Sequence, residues 1–364
     1  MTRIVLSTGN IISGGPSIIR KPGTTRSNLE LVNSLRSSFA AAQQDYGGAD
    51  WAAQTPDGTN GVVAQQTNGT STTTTAATTP AAAWTAREDG TLYIPRIDWS
   101  GAALQEDRDQ YEITLKMFFL PTAPVAQREA YITQALDLVG KELGFSGSSS
   151  SDSQKFTVDL LIVSFPGISF EGDCEWEADK KNAKMGNDAD ELATWTALEA
   201  LHAQGRIGRL GIAEFGSEKL QRFLEKVQTR PAVDQINVKN CCSVPPPLVQ
   251  LAKREGIELL THSDCTDILP GGTLRELLGP KEKGGADVLA SGGGRVGEEE
   301  ENGEEAAGHG RLTGDLLPEW VVKYTAFVKD RGVIENKGYF AGAELADDDD
   351  GTAAQRDPKR VKMQ

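Results

Sequence analysis

The apolar positions of this chain alternate between two periods. Residues 158–163 form a continuous apolar run broken only by Asp159, the pattern of a strand covered on both faces. A helical period follows over 188–204. Leu192, Trp195, Leu198 and Leu201 make one stripe, Asp188 and Glu191 have the spacing of a capping box, and Gly205 stands where a helix closes. The unit then repeats. A strand is predicted at 207–212 and a helix from Ser217 with Leu220, Phe223, Leu224 and Val227 on one face. Next come a strand at 233–238, a helix at 245–255 opened by prolines and closed by Gly256, and a strand at 257–261. Upstream, 112–120 predicts a strand, and Ile132, Ala135, Leu136, Val139 and Leu143 mark the face of a helix. Residues 4–7 predict a first strand, with Ser27-x-x-Glu30 capping the helix after it, while 320–330 predict a last helix and 332–334 a last strand.

Strand–helix units at this spacing imply a parallel sheet with right-handed crossovers. Seven strands are legible, and an eighth is expected around 91–97, where the pattern is poor. No Gly-x-Gly-x-x-Gly follows the first strand, which counts against an open dinucleotide-binding sheet. The expected fold is α/β, a (β/α)8 TIM-type barrel.

Composition changes the extent of that barrel. Residues 54–83 are almost entirely Thr, Ala, Gly, Gln and Asn, 147–154 are serine-rich, 281–311 are Gly/Glu-rich, and 344–364 form a charged tail. Such segments bury too little apolar surface to offset the entropy of ordering them. They predict a single barrel over residues 1–343 with disordered insertions and a disordered tail, leaving roughly 270 residues for the core, a size that suits one large α/β barrel. The net charge of −15 owes much to six glutamates within 298–305 and four aspartates at 347–350. An acidic chain without a basic face excludes nucleic-acid binding as the main activity. No apolar run approaches the roughly 18 residues that span a bilayer, and no secretory leader is legible. The four cysteines have neither disulfide-framework nor zinc spacing, so a reducing cytosol is expected. Lys359-Arg-Val-Lys362 resembles a short nuclear-import signal.

From Val158 onward the residues resemble the aldo-keto reductase superfamily. Val158–Pro166 is similar to that family's fourth strand, which ends in His-Trp-Pro; Gly205–Phe215 is similar to the fifth, which ends in Ser-Asn-Phe; Gln235-Ile-Asn is similar to the sixth. One branch is closer still, the regulatory subunits of glutamate–cysteine ligase. Ser7-Thr-Gly-Asn-Ile-Ile12, Lys116 in its strand, Cys241-Cys-Ser-Val-Pro-Pro246, Leu259-Leu-Thr-His-Ser-Asp264 and Arg331-Gly-Val-Ile-Glu-Asn-Lys-Gly-Tyr339 carry that likeness.

What the resemblance implies for chemistry is mostly loss. Aldo-keto reductases pass hydride from NADPH to a carbonyl. A tyrosine gives the proton, a lysine depresses its pKa, an aspartate pairs with the lysine, and a histidine orients the carbonyl. Lys116 matches the lysine, but Ser164 stands at the histidine position, and a hydroxyl does not replace a titratable imidazole. The family's Asp-x4-Tyr is missing: Tyr93 precedes Asp98, and Tyr111, preceded by Asp107 and Asp109, abuts the Lys116 strand. Ala213-Glu214 replaces the Ser-Asn that would hold the nicotinamide. Gln235 and Lys337 are weak remnants of the cofactor site, so no cofactor is expected beyond what a vestigial NADPH site could hold without turnover. Read without the resemblance, Lys116 is a barrel lysine paired with a carboxylate, Cys241 and Cys242 are packed thiols, and His262 is a histidine satisfied by hydrogen bonds.

The resemblance thus implies a non-catalytic subunit that forms a heterodimer with the ligase catalytic subunit in the first step of glutathione synthesis, improving glutamate use and relieving feedback inhibition by glutathione. An active NADPH-dependent reductase is the alternative; a metal-dependent barrel enzyme lacks a ligand cluster in the sequence. Partner contact is expected at Cys241, Cys242, Pro245, Pro246, Trp320, Lys323 and Tyr324, because aromatic side chains make good interface anchors and the loops after barrel strands are free to recognise.

Overall fold

The computed structural model describes residues 2–13, 27–46, 80–99, 103–145, 156–171, 174–237, 243–290 and 311–346. The strand–helix rhythm of the middle of the chain is all there: β4 (Tyr111–Phe119), α3 (Arg128–Glu142), β5 (Val158–Ser164), α4 (Glu175–Asn182), α5 (Asp188–Ala203), β6 (Ile207–Ala213), α6 (Ser217–Leu224), β7 (Val233–Asn237), α7 (Pro246–Glu255) and β8 (Glu258–His262). Before it lie β1 (Thr2–Ser7), α1 (Ser27–Asp45), α2 (Ala81–Trp84), β2 (Ala86–Glu88) and β3 (Thr91–Ile94). After it come α8 (Thr273–Leu278), β9 (Asp315–Val328) and β10 (Val333–Ala346).

Local chemistry sets the ends of these elements. The cap of α5 lies one residue before the expected one: Asn187 Oδ1 accepts from the Ala189 N–H at 3.0 Å, and Glu191 Oε1 reaches back to the Asn187 N–H at 2.9 Å. Prolines open α7, and Gly256 closes it at φ +71°, a backbone conformation that glycine adopts without strain. The expected stripe of α5 is buried at Trp195, Leu198 and Leu201, and the Trp195 indole meets Phe223 of α6 edge-on at 5.1 Å. Side chains of this size stabilise by about 1.5–3 kcal/mol each when fully buried. With the apolar faces of α3, α6 and α7 they form the larger core.

All strands belong to one mixed sheet in the order β2-β3-β1-β10-β9-β4-β5-β6-β7-β8. The run β4 to β8 is parallel, as the repeated units require. β9 and β10 form an antiparallel hairpin that stands between β4 and β1. The sheet is strongly curled. Flat, it would hold β8 about 19 Å from β4, at about 4.8 Å per strand, yet Asp264, just past β8, touches Lys116 on β4. This sheet, with its run of parallel strands, fits the expected α/β TIM-type barrel, the hairpin departing from the repeated unit. A second core packs α1 and α8 against β1, β3 and β10.

Four expectations are corrected. Residues 320–330, expected as a helix, lie in β9. Trp320, Val322, Tyr324, Ala326 and Val328 enter the larger core while Val321 faces the second. A strand buried on both faces reads as a continuous apolar run, and the β-branched Val321, Val322, Thr325 and Val328 favour it over a helix. Residues 80–83, assigned to an insertion, begin α2, with Ala83 and Trp84 buried. Residues 281–290 are also ordered, because Ala286, Val288 and Leu289 pack into the second core. Residues 344–346, assigned to the tail, complete β10 beside β1. The segment 147–154 and most of the other two insertions and the tail lie outside the described residues.

Candidate functional site

The side chains that the sequence singled out converge inside the curl. Lys116, in the middle of β4, has Ile162 of β5 and Lys323 of β9 as register neighbours, and Lys323 has Tyr339 of β10 beyond it. Two ammonium groups side by side repel, and Asp264 resolves this. Its Oδ2 accepts from Lys116 Nζ at 3.0 Å and its Oδ1 from Lys323 Nζ at 2.8 Å. Burial alone would raise the Asp264 carboxyl; the charges of Lys116 and Lys323 outweigh it and hold that carboxyl well below the usual carboxylate range. Lys116 is itself lowered by burial, which Asp264 offsets only in part.

His262 sits over this pair at the end of β8. Its Nδ1 accepts from the Asp264 N–H at 3.1 Å and lies 3.4 Å from Lys116 Nζ. Its Nε2 lies 2.7 Å from Glu214 Oε1, close enough for an ion pair but poorly aligned for a hydrogen bond. Glu214 is the first residue past β6 and is buried at φ +66°, a conformation that a residue with a Cβ adopts at some cost and that marks functional turns. Asn182 of α4 holds its carbonyl at 2.6 Å. Asn237, at the end of β7, donates from Nδ2 to the Asp264 carbonyl at 2.9 Å. The cluster therefore spends its charges on itself: two lysines against an aspartate and a glutamate, with a histidine between them. The plain reading of Lys116, paired with a carboxylate, is what the structure shows; that of His262 holds at Nδ1 only, since Nε2 faces Glu214 without an aligned hydrogen bond.

A reductase needs a tyrosine hydroxyl at the lysine, and all six tyrosines of the chain are described. Tyr111 donates to Glu335 at 2.8 Å, Tyr131 to Glu319, Tyr324 to Glu142 at 3.3 Å and Tyr339 to Glu30 at 2.6 Å. Tyr93 packs edge-on to Trp99, and Tyr46 lies under Arg96. None is paired with Lys116. Tyr339 lies two strands from Lys116, beyond Lys323, and burial and then Glu30 push its hydroxyl well above the usual tyrosine range, the wrong direction for a proton donor. Ser164 ends β5 beside Phe118, buried at the place expected of it.

The cofactor remnants fare no better. Lys337 Nζ lies 2.7 Å from Glu30 Oε1, so its charge is already answered. Glu214 turns its carboxylate to His262 and, when ionised, offers acceptors only, where an amide would both donate and accept. Gln235 keeps a buried Oε1 without a partner. These residues do not fit a nicotinamide dinucleotide.

Of the partner-contact candidates, Trp320 and Tyr324 are corrected: each is 1% exposed and belongs to the core, because they project from the buried face of a strand. Lys323 is drawn into the cluster by Asp264. Pro245 is buried, Pro246 is exposed at the start of α7, and Cys241 and Cys242 lie outside the described residues.

Comparison with known proteins gives this architecture a lineage. The family model described as "Aldo/keto reductase family" matches residues 95–277, half of the chain, which carry β4 to β8, Lys116, Ser164, Glu214, His262 and Asp264. The chain belongs to the aldo/keto reductase family. Within that family it resembles a protein of Schizosaccharomyces pombe provisionally named a glutamate–cysteine ligase regulatory subunit, 26% identical over 247 residues that cover 65% of this chain and 72% of the yeast protein. It is also similar to the Mus musculus glutamate–cysteine ligase regulatory subunit, 28% identical over 41% of this chain; the match spans less than half, 45%, of the mouse protein. An NADPH-dependent D-xylose reductase of Candida boidinii is 29% identical over only 27% of this chain. Among solved structures, an aldo-keto reductase of the silkworm Bombyx mori aligns over 38% of this chain and 36% of its own, with 23% identity and a TM-score of 0.27.

Proposed function

We propose that this aldo/keto reductase-family chain is a non-catalytic regulatory subunit of glutamate–cysteine ligase that binds the catalytic subunit in the first step of glutathione synthesis. The observation that carries the reading is the closed Lys116–Asp264–Lys323 cluster with no tyrosine hydroxyl beside it. A lysine so engaged has no phenol to acidify and no proton to direct to a carbonyl. The similarity to regulatory subunits from yeast and mouse supports the rest. Such a subunit acts by binding the competent conformation of its partner better than the other, so that glutamate use improves and inhibition by glutathione weakens. Pro246, exposed at the start of α7, belongs to the expected docking segment.

Two measurements test this. Purified protein given NADPH and a panel of aldehydes and ketones is expected to oxidise no NADPH above the blank, and Ser164→His alone is not expected to restore turnover. Tagged protein is expected to retain the ligase catalytic subunit from its native cells and to lower that subunit's KM for glutamate. Robust carbonyl reduction by the wild type, or an unchanged ligase, overturns the reading.

A further inference from the structure

The curl of the sheet does not close by hydrogen bonds. Its strand order has two ends, β2 and β8, and among the described residues no pairing joins them. A free strand edge presents a row of backbone donors and acceptors, and proteins blunt such edges with short strands, charge, proline or bulges. β2 is blunted: it is three residues long, and Arg87 and Glu88 are exposed. β8 is not. It holds five residues, carries neither lysine nor proline, and pairs with β7 without a bulge.

The ladder fixes which of its groups are free. The Glu258 N–H donates to the Ala232 carbonyl, on the β7 side, at 2.9 Å. In a parallel pair alternate residues bond to the same neighbour, so Leu260 and His262 also turn to β7, while Leu259 and Thr261 turn their N–H and C=O groups outward. Those four groups have no partner among the described residues. The side chains of the edge are uncovered as well. Leu259 is half-buried against the larger core, Leu260 is half-buried against Leu160, Ile162, Ala213 and Val233 on the other face, and Thr261 is exposed. An added strand, whose side chains alternate in direction, would cover both leucines while its backbone answered the four groups.

Charge selects the occupant. From 257 to 267 the exposed charges are Glu258 and Asp267, both acidic, and Arg209 meets Glu258 only at 3.8 Å. A second copy of this chain, with its own net charge of −15, is repelled, and a basic segment is drawn in. We propose that the free edge of β8 is a docking site for one extended, basic segment of a partner protein, added as a further strand beside Leu259 and Thr261. For the partner's identity, the ligase catalytic subunit, this rests on the regulatory-subunit reading; the surface and the mode of contact go beyond it.

The test combines association of the full chain with the purified ligase catalytic subunit and amide hydrogen exchange read residue by residue. On binding, the Leu259 and Thr261 amides are expected to become protected, whereas those of Leu260 and His262, already bonded to β7, change little. Docking through side chains alone would not produce that alternation. Thr261→Pro removes an outward N–H and puts a ring in the path of the added strand, yet leaves the β7 ladder whole, and edge strands accept proline at such a position. A folded Thr261→Pro chain is expected to bind about tenfold or more weakly. Glu258→Lys, at an exposed position, is expected to weaken binding too, and it serves if Thr261→Pro does not fold. Unchanged exchange at Leu259 and Thr261 in a complex that forms, or full association by the folded variants, overturns the proposal and leaves the regulatory reading standing. Failure of wild type to bind the subunit overturns both. A chain that dimerises alone, with protection at Leu259 and Thr261, makes a second copy the occupant and overturns the basic partner.

Discussion

Asp264 and Glu142 are both buried carboxyls, and their surroundings send them in opposite directions. Asp264 faces two lysines, so its folded pKa lies below the unfolded value. Its contribution to stability is complete above about pH 4 and is lost as pH falls through the lower folded value. Asp264→Asn strands Lys116 and Lys323, and the expected loss is about 3–5 kcal/mol at pH 7 in urea melts. Glu142 has the other sign. Its folded pKa of about 7 exceeds the unfolded value, so the native state binds the extra proton and stability falls as pH rises from about 4.5 to 7. Glu142→Gln is expected to melt like wild type at pH 4 and to be up to about 3 kcal/mol more stable at pH 8. Lys116 and Ser164 were legible in the sequence because each sits in a strand motif. The Asp264 partnership was not, since 148 residues separate the pair and only the curl of the sheet joins them. Glu142 was legible as a helix position and nothing more.

Elements were most legible where one face is wet. α3, α5 and α7 show their apolar stripes because solvent claims the opposite side, and β4 to β8 follow from the same rhythm. β9 fails that rule. From Glu319 to Val322 it is buried on both faces, which hides the period of two there, while Trp320 and Tyr324 fall at a helical spacing by accident. The hairpin also carries a constraint that no periodicity reveals. A Cβ on Gly342 would collide with the Trp320 indole across the strand pair, and one on Gly338 would meet the Tyr324 hydroxyl and the Gly9 carbonyl. Gly342→Ala is expected to cost about 1–3 kcal/mol by forcing the buried indole aside. Denaturant melts give the loss, and near-UV circular dichroism should report the tryptophan's altered setting. A surface glycine such as Gly90, with nothing within 4 Å of its Cβ direction, is no equivalent site for packing.

On the scale of the whole molecule, the hairpin is the bridge between two sets of strands. Among the described pairings, β10 alone joins β1 to the rest and β9 alone joins β4 to that side. A chain cut before Asp315 is expected to lose its single cooperative unfolding transition, because β1 and β4 both lose a neighbour and Lys323 leaves Asp264 half answered. Circular dichroism melts and urea gradients of the truncated chain check this; an unchanged transition would show that the curled sheet stands without its bridge. The same feature sets a timetable for synthesis. Thr8 accepts from the Tyr339 N–H across 331 residues, so the edge of β1 that faces β10 stays open until nearly all of the described strands have been made. Contacts this distant close slowly, and unpaired strand edges in the interval are prone to aggregate. A slowly translated chain therefore passes through a stage with the β4–β8 units formed and the β1 edge that faces β10 unclaimed. Chaperone demand should fall on that half-made intermediate rather than on the finished protein.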